Sequence, residues 1–129
     1  MYQIVGHGID VVEVDAFRSL LECNSGDFKD RCFTKAEQAE AATHANEVQR
    51  FAGWFAMKEA VAKAMGIGFG GAVTPLDIVI THGIGGAPQV LLRQGAMKRA
   101  SELRVVNWHV SISHVNSTAF ASAIAVSNN

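Results

Sequence analysis

A chain of 129 residues is long enough for one domain, residues 1–129, with a hydrophobic core that needs no covalent staples. Hydrophobic residues make up 49% and charged residues 18%, which excludes a disordered chain. The net charge of −1 gives no bulk attraction to nucleic acid or to an anionic membrane, so any positive surface for an anionic partner must be local.

The only cysteines, Cys23 and Cys32, have no paired spacing and no ligand histidines nearby. That usage points to a reducing compartment, and the expected location is cytoplasmic. The opening Met1-Tyr2-Gln3 leads into no basic region followed by a long apolar run, so no signal peptide is expected. No apolar stretch reaches bilayer-spanning length.

Residues 4–12 read as a buried first strand with glycines at positions 6 and 8. A helix is predicted from about Asp15, with Phe17, Leu20 and Leu21 on its inner side, ending at Asn24-Ser25-Gly26-Asp27. Thr34 followed by Glu37 is a capping box and starts a second helix that runs to about His44. The third helix, roughly 47–65, is the longest, with Val48, Phe51, Phe55, Ala62 and Met65 along one side and Gly66 as a left-handed terminator. Residues 77–81 and 89–93 flank a glycine-rich turn and read as a hairpin. A short helix at about 94–103 precedes strands at 107–113 and 118–126. The order implies an α+β domain, a mainly antiparallel sheet packed against a long helix and shorter ones. In the last strand Ala119, Ala121, Ala123 and Ala125 share one face, which lets a neighbour approach closely, either the chain's own long helix or another subunit.

Two acids stand out because their surroundings offer them little water. Asp10 closes the apolar run Ile4-Val5-Gly6-His7-Gly8-Ile9, and Glu59 lies in an alanine-rich helix one turn before Lys63. A carboxylate flanked by apolar residues needs a cation or dense donors to stay ionised. Brought together by folding, the two acids make a small hard-cation site, with Lys63 as a phosphate-facing ammonium. The spacing alone equally allows a surface Glu59–Lys63 pair and an Asp10 that merely precedes a helix. On the helix, Ala52 and Ala56 precede Glu59 and Lys63 in one stripe, leaving room for a ligand, while Lys58 points about 100° away and reads as a solvated lysine.

His109 and His114 are an odd number of residues apart, so a continuous strand turns them to opposite faces and they share no metal. His7, His44 and His82 stand alone and are expected to have no role. The run 66–71 fits G-x-G-x-x-G, but it follows a helix and lacks the strand-to-helix turn of a dinucleotide fingerprint. It reads either as a phosphate-cradling turn or as a flexible connector. Ser111 and Ser113 share a strand face without a nucleophile elbow, and neither cysteine has an activator in sequence, so the chain supplies no nucleophile of its own.

Four segments occur in order: Gly8-Ile9-Asp10-Val11-Val12-Glu13, Phe33-Thr34-Lys35-Ala36-Glu37, Phe55 through Gly66 with its Lys58-Glu59-Ala60 centre, and Trp108-His109-Val110-Ser111-Ile112-Ser113-His114. From about Gly8 to Val126 the chain resembles the holo-acyl-carrier-protein synthases, the short 4′-phosphopantetheinyl transferases. The resemblance implies a transferase that moves 4′-phosphopantetheine from coenzyme A to a serine of an apo acyl carrier protein, releasing adenosine 3′,5′-bisphosphate. It assigns Mg²⁺ to Asp10 and Glu59, catalytic roles to Glu59, Lys63 and His114, and coenzyme contacts to Lys63, Gly66, Gly68 and Ser113. The proton acceptor is either Glu59 or a metal-bound water. A homotrimer with sites between subunits is implied too. The chain departs from the family at Ala16, where a basic docking residue is usual, at Trp54, where Arg is frequent, at Met57 and at Val115. Arg18 or the Lys29, Arg31, Lys35 group would then dock the carrier. The alternatives are an idle coenzyme A-binding module of the same fold and a generic phosphohydrolase.

Overall fold

The computed structural model describes residues 1–128, with Asn24 and Ser25 as backbone only. The expected domain limit at Asn129 lies outside them. Among the described residues five strands and five α-helices follow in the order β1 Tyr2–Glu13, α1 Val14–Glu22, α2 Asp27–Cys32, α3 Lys35–Ala41, α4 Glu47–Ala64, β2 Ile78–His82, β3 Pro88–Leu92, α5 Gln94–Glu102, β4 Val105–His114 and β5 Thr118–Asn128. The strands divide into two antiparallel sheets, β1-β5-β4 and the hairpin β2-β3. Among the described residues no helix is long and apolar enough to cross a membrane.

The three-stranded sheet is built around the alanines of β5. Gly8 and Val110 pair with Ala123, Asp10 and Ile112 with Ala121, and Val12 and His114 with Ala119, so these residues share one face. The four alanines are buried, and α4 packs against β1 and β5 on that face. Of the two expected neighbours for the methyl face, the chain's own long helix takes it. The approach is so close that a Cβ at Gly6 would fall on the Ala64 carbonyl oxygen, and one at Gly8 on that of Ala60. Glycine is required there by proximity, not by turn geometry.

Because only this face is covered, β1 is not the buried strand expected: Ile9 and Val11 point the other way and are exposed, beside Phe120. The helix α4 departs from expectation in the opposite sense. Instead of one apolar side, Phe51, Ala52, Trp54, Ala56, Met57, Ala60, Val61, Ala62 and Ala64 are all buried, since sheet, hairpin and α1–α3 surround it. A helix covered all round carries no amphipathic stripe to read. The room expected beside Ala52 and Ala56 is therefore filled.

Other differences are local. The helix α1 buries Phe17 and Leu21, while Leu20 faces solvent. Thr34 and Glu37 form the capping box, Thr34 N–H donating to Glu37 Oε1 at 2.8 Å, but α3 stops at Ala41. The six-residue α2 was not expected; it is too short to show a period and carries charges at both ends. Gly66 ends α4 with φ of 71°, as its position predicts.

Candidate functional site

The packing of α4 on β1 brings Asp10 to the C-terminal half of the helix. Lys63 Nζ donates to Asp10 Oδ1 at 2.9 Å and to the Ile9 carbonyl at 3.1 Å. Asp10 is largely covered, its side chain 17% exposed against 50% for Lys63. Glu59, half-buried one turn earlier, has its carboxyl raised above the usual glutamate range. Burial is the main cause and the Asp10 charge the second, with Lys63 opposing both. Glu59 thus lies close enough to feel the Asp10 charge, with the Lys63 ammonium bonded between strand and helix.

That donor set suits Mg²⁺, which takes one or two protein carboxylates and completes its shell with phosphate oxygens and water. Among the described residues no three His, Cys, Asp or Glu side chains gather into a metal cage.

Glu59 also gives a stability prediction. A carboxyl with a raised folded pKa holds its proton more tightly folded than unfolded, so its contribution to stability falls as pH rises from the unfolded to the folded value. Once the pH is high enough to ionise it, the buried Glu59 charge beside Asp10 strains the unliganded protein. Glu59→Gln should therefore raise the melting temperature at pH 7, with the gain shrinking as pH falls towards the ordinary glutamate range; calorimetry across pH checks it.

Gly66 and Gly68 follow the same end of α4. Arg99 Nε donates to the Met65 carbonyl at 3.0 Å, fixing α5 against this turn, and a Cβ at Gly68 would meet open space. Asp10, Glu59, Lys63 and the glycine turn thus share one region.

His114 lies elsewhere. It lines a cavity of about 140 Å³ with Gln49, Arg50, Gly53, Trp54 and His82, near the start of α4. Gln49 Nε2 donates to the Val115 carbonyl at 3.1 Å, and ten residues of helix at about 1.5 Å rise put Gln49 roughly 15 Å along the axis from Glu59. No hydrogen bond or ion pair joins His114 to Asp10, Glu59 or Lys63 among the described residues. Ser113 lies on the uncovered sheet face, paired with Phe120, and His109 shares that face, so the two histidines do point apart.

The cavity holds what the sequence reading missed. Trp54 is 1% exposed, and its indole Nε1 is the one buried side-chain polar atom without a partner among the described residues. An orphan donor costs about 1–3 kcal/mol. The guanidinium of Arg50 lies 5.9 Å from the Trp54 ring centroid and contacts His44 Nδ1 at 3.0 Å, while His82 reaches Glu40 at 3.0 Å. The lone histidines His44 and His82 are thus partners of charged side chains, which spacing does not reveal.

The larger miss is Lys58. It is not solvated: it is 0% exposed and bonded to Glu37 Oε1 at 2.8 Å. Cys32 beside it is also buried, and burial pushes its thiol up to about 11, leaving it unreactive. The four basic candidates for docking each face an acid: Arg18 with Asp15 at 4.0 Å, Lys29 with Glu47 at 4.0 Å, Arg31 with Asp27 at 3.0 Å and Lys35 with Asp30 at 3.2 Å.

Residues 6–125 match the family model described as the 4′-phosphopantetheinyl transferase superfamily. A holo-[acyl-carrier-protein] synthase of Solidesulfovibrio magneticus is 41% identical over 121 residues, 94% of this chain and 97% of that protein. The crystal structure of holo-ACP-synthase from Plasmodium yoelii superposes with a TM-score of 0.86 at 31% identity, covering 100% of this chain and 99% of that one. A holo-(acyl-carrier-protein) synthase from Bacillus anthracis in complex with CoA (3′,5′-ADP) gives a TM-score of 0.79 at 31% identity, over 97% and 98% of the two chains.

Proposed function

The chain belongs to the 4′-phosphopantetheinyl transferase superfamily, and from that premise we propose that it transfers 4′-phosphopantetheine from coenzyme A to a serine of an apo acyl carrier protein. The observation that carries the reading is the Asp10–Lys63 pair beside Glu59. Asp10 and Glu59 would hold Mg²⁺, which supplies charge to offset the pyrophosphate of coenzyme A. Glu59 is the proton acceptor for the carrier's serine hydroxyl, and its raised carboxyl brings its basicity nearer that task. Lys63, half exposed, leaves Asp10 to offset charge on the departing adenosine 3′,5′-bisphosphate. The glycine turn at Gly66 and Gly68 lines the path of the coenzyme.

His114 enters this scheme from a second copy. Its place near the start of α4, far along the helix from Glu59, supports a site made between subunits, with Arg50 as a further phosphate donor and Ser113 on the joining face. The alanine face is used up by α4 and gives the assembly no support. The exposed sheet face with Ile9, Val11 and Phe120 does, and a homotrimer is the proposed state. Light scattering at assay concentration should give three times the chain mass, and a fully active monomer would overturn the shared site. The two free thiols support work in the cytoplasm.

The test of the function is direct. Incubated with coenzyme A, Mg²⁺ and an apo carrier protein, the protein should add one phosphopantetheine to the carrier's mass. No mass gain, with coenzyme A still bound, would make it the idle binding module.

Docking gives a further prediction. Arg18 is 47% exposed and Asp15, its acid partner at 4.0 Å, is too far for a hydrogen bond, so it is available to an acidic carrier. Arg18→Glu should raise KM for the carrier roughly tenfold at low salt, an effect that shrinks with added salt, and leave KM for coenzyme A unchanged. An unchanged carrier constant would shift docking to Lys29, Arg31 and Lys35.

A further inference from the structure

Lys58 has no task in the chemistry above, yet its ammonium makes bonds to three separate segments. Nζ donates to Glu37 Oε1 at 2.8 Å, to the Cys32 carbonyl at 2.9 Å and to the Pro75 carbonyl at 3.0 Å. An ammonium has three protons, so each is used. Glu37, 2% exposed, is bonded through both oxygens: Oε1 also accepts from Thr34 N–H at 2.8 Å, and Oε2 accepts from Ile80 N–H at 2.8 Å. One buried ion pair therefore joins the end of α2, the cap of α3, the middle of α4, the turn Pro75–Asp77 and strand β2.

Such a pair is a poor way to gain stability, because desolvating two charges offsets most of their attraction, and apolar side chains of the same volume often serve as well. What it does supply is direction. Lys58 adjoins Glu59, and any rotation of α4 that moves the ammonium from its three acceptors also turns Glu59 relative to Asp10. Pro75 closes the loop that leaves α4 through Gly66 and Gly68, so the same ammonium fixes where that loop returns. Packing against the sheet holds α4 from one side, and the Lys58 ammonium adds a directional tie on the other, to the Cys32 and Pro75 carbonyls and Glu37.

We propose that Lys58, held by Glu37, is a positioning residue for the transfer: it sets the rotation of α4 and the return of the 66–74 loop, so that Glu59, Lys63 and the glycine turn meet the pyrophosphate of coenzyme A together. This rests on the function proposed above. Lys58 touches neither substrate; it acts through its neighbour and through the loop.

The test compares wild type, Lys58→Met, Lys58→Arg and Val14→Ala, the last a core truncation on α1 that lowers stability without touching the pair. All are assayed as assembled enzyme at a temperature well below every midpoint, with each substrate varied in turn. In Lys58→Met, KM for coenzyme A should rise at least tenfold and kcat fall about tenfold, while KM for the carrier stays within threefold. Lys58→Arg, which keeps the charge, should recover part of both losses. Hydrogen exchange in Lys58→Met should quicken across 66–77 more than in β5. Val14→Ala should melt earlier yet keep both substrate constants. If Lys58→Met melts earlier but keeps its coenzyme constant and turnover, the pair is structural only and the inference fails. Should Lys58→Met not fold, Lys58→Arg decides: wild-type constants with unchanged exchange across 66–77 overturn the proposal. A wild type that fails to modify any carrier would instead refute the proposed function.

Discussion

Asp10→Ala and Glu59→Ala should each cut the transfer rate by about a thousandfold or more, about 4 kcal/mol of barrier. The two losses arise differently. Without Asp10, Lys63 loses its 2.9 Å carboxylate partner and Glu59 loses the charge that helps hold its pKa up, so its carboxyl should titrate lower. Without Glu59, the proposed proton acceptor goes, while the Asp10–Lys63 pair survives. A pH–rate profile separates them: the acid limb should shift to lower pH in Asp10→Ala and disappear in Glu59→Ala. Both proteins should remain folded, since neither carboxylate caps a helix or satisfies a buried backbone group. Near wild-type turnover of either variant at saturating Mg²⁺ would show that the ion is held elsewhere.

The parts of the fold legible in the sequence are those whose cause is local. The Thr34–Glu37 cap, the Gly66 terminator, the hairpin and the alternating alanines of β5 each depend on residues within one turn or one strand. The meeting of Asp10 with the Glu59–Lys63 turn was expected as well, though it rests on contact between segments over fifty residues apart and the ion pair that forms is Asp10–Lys63. It was legible because apolar flanks around an acid demand a partner, whatever brings it there. Lys58 was not legible for a matching reason. Helical geometry placed it away from Glu59 and Lys63, and a lysine on that side is ordinarily solvated; only α2, α3 and the Pro75 turn closing over it make that side interior. The same closure erased the apolar stripe of α4. The separation of His114 from the acids was hidden too, because strand parity gives the face of a residue and not its distance along the helix packed there.

Gly8→Ala is expected to do more damage to the fold than any change in the catalytic set. Its Cβ would fall on the Ala60 carbonyl oxygen and close to the Ala64 backbone nitrogen, atoms of a helix buried on almost every side. A clash with a flexible side chain is relieved by a rotamer change, but here the nearest atoms are main chain. Relief requires α4 to lift from β1, and that separation opens the alanine face and draws Glu59 and Lys63 away from Asp10, two residues along the same strand. Overpacking a tight core costs about 1–3 kcal/mol where neighbours can shift, and more where they cannot. A loss of at least 4 kcal/mol is therefore expected, a large part of the 5–15 kcal/mol that holds a typical domain together. Urea titration should show the midpoint falling steeply, or no folded baseline at all. Ala60→Gly cannot rescue it, because the obstructing atom is the carbonyl and not the methyl group. A Gly8→Ala protein with wild-type stability would mean that α4 rides higher on the sheet than the structure places it, and the Asp10–Lys63 pair would then be longer than 2.9 Å.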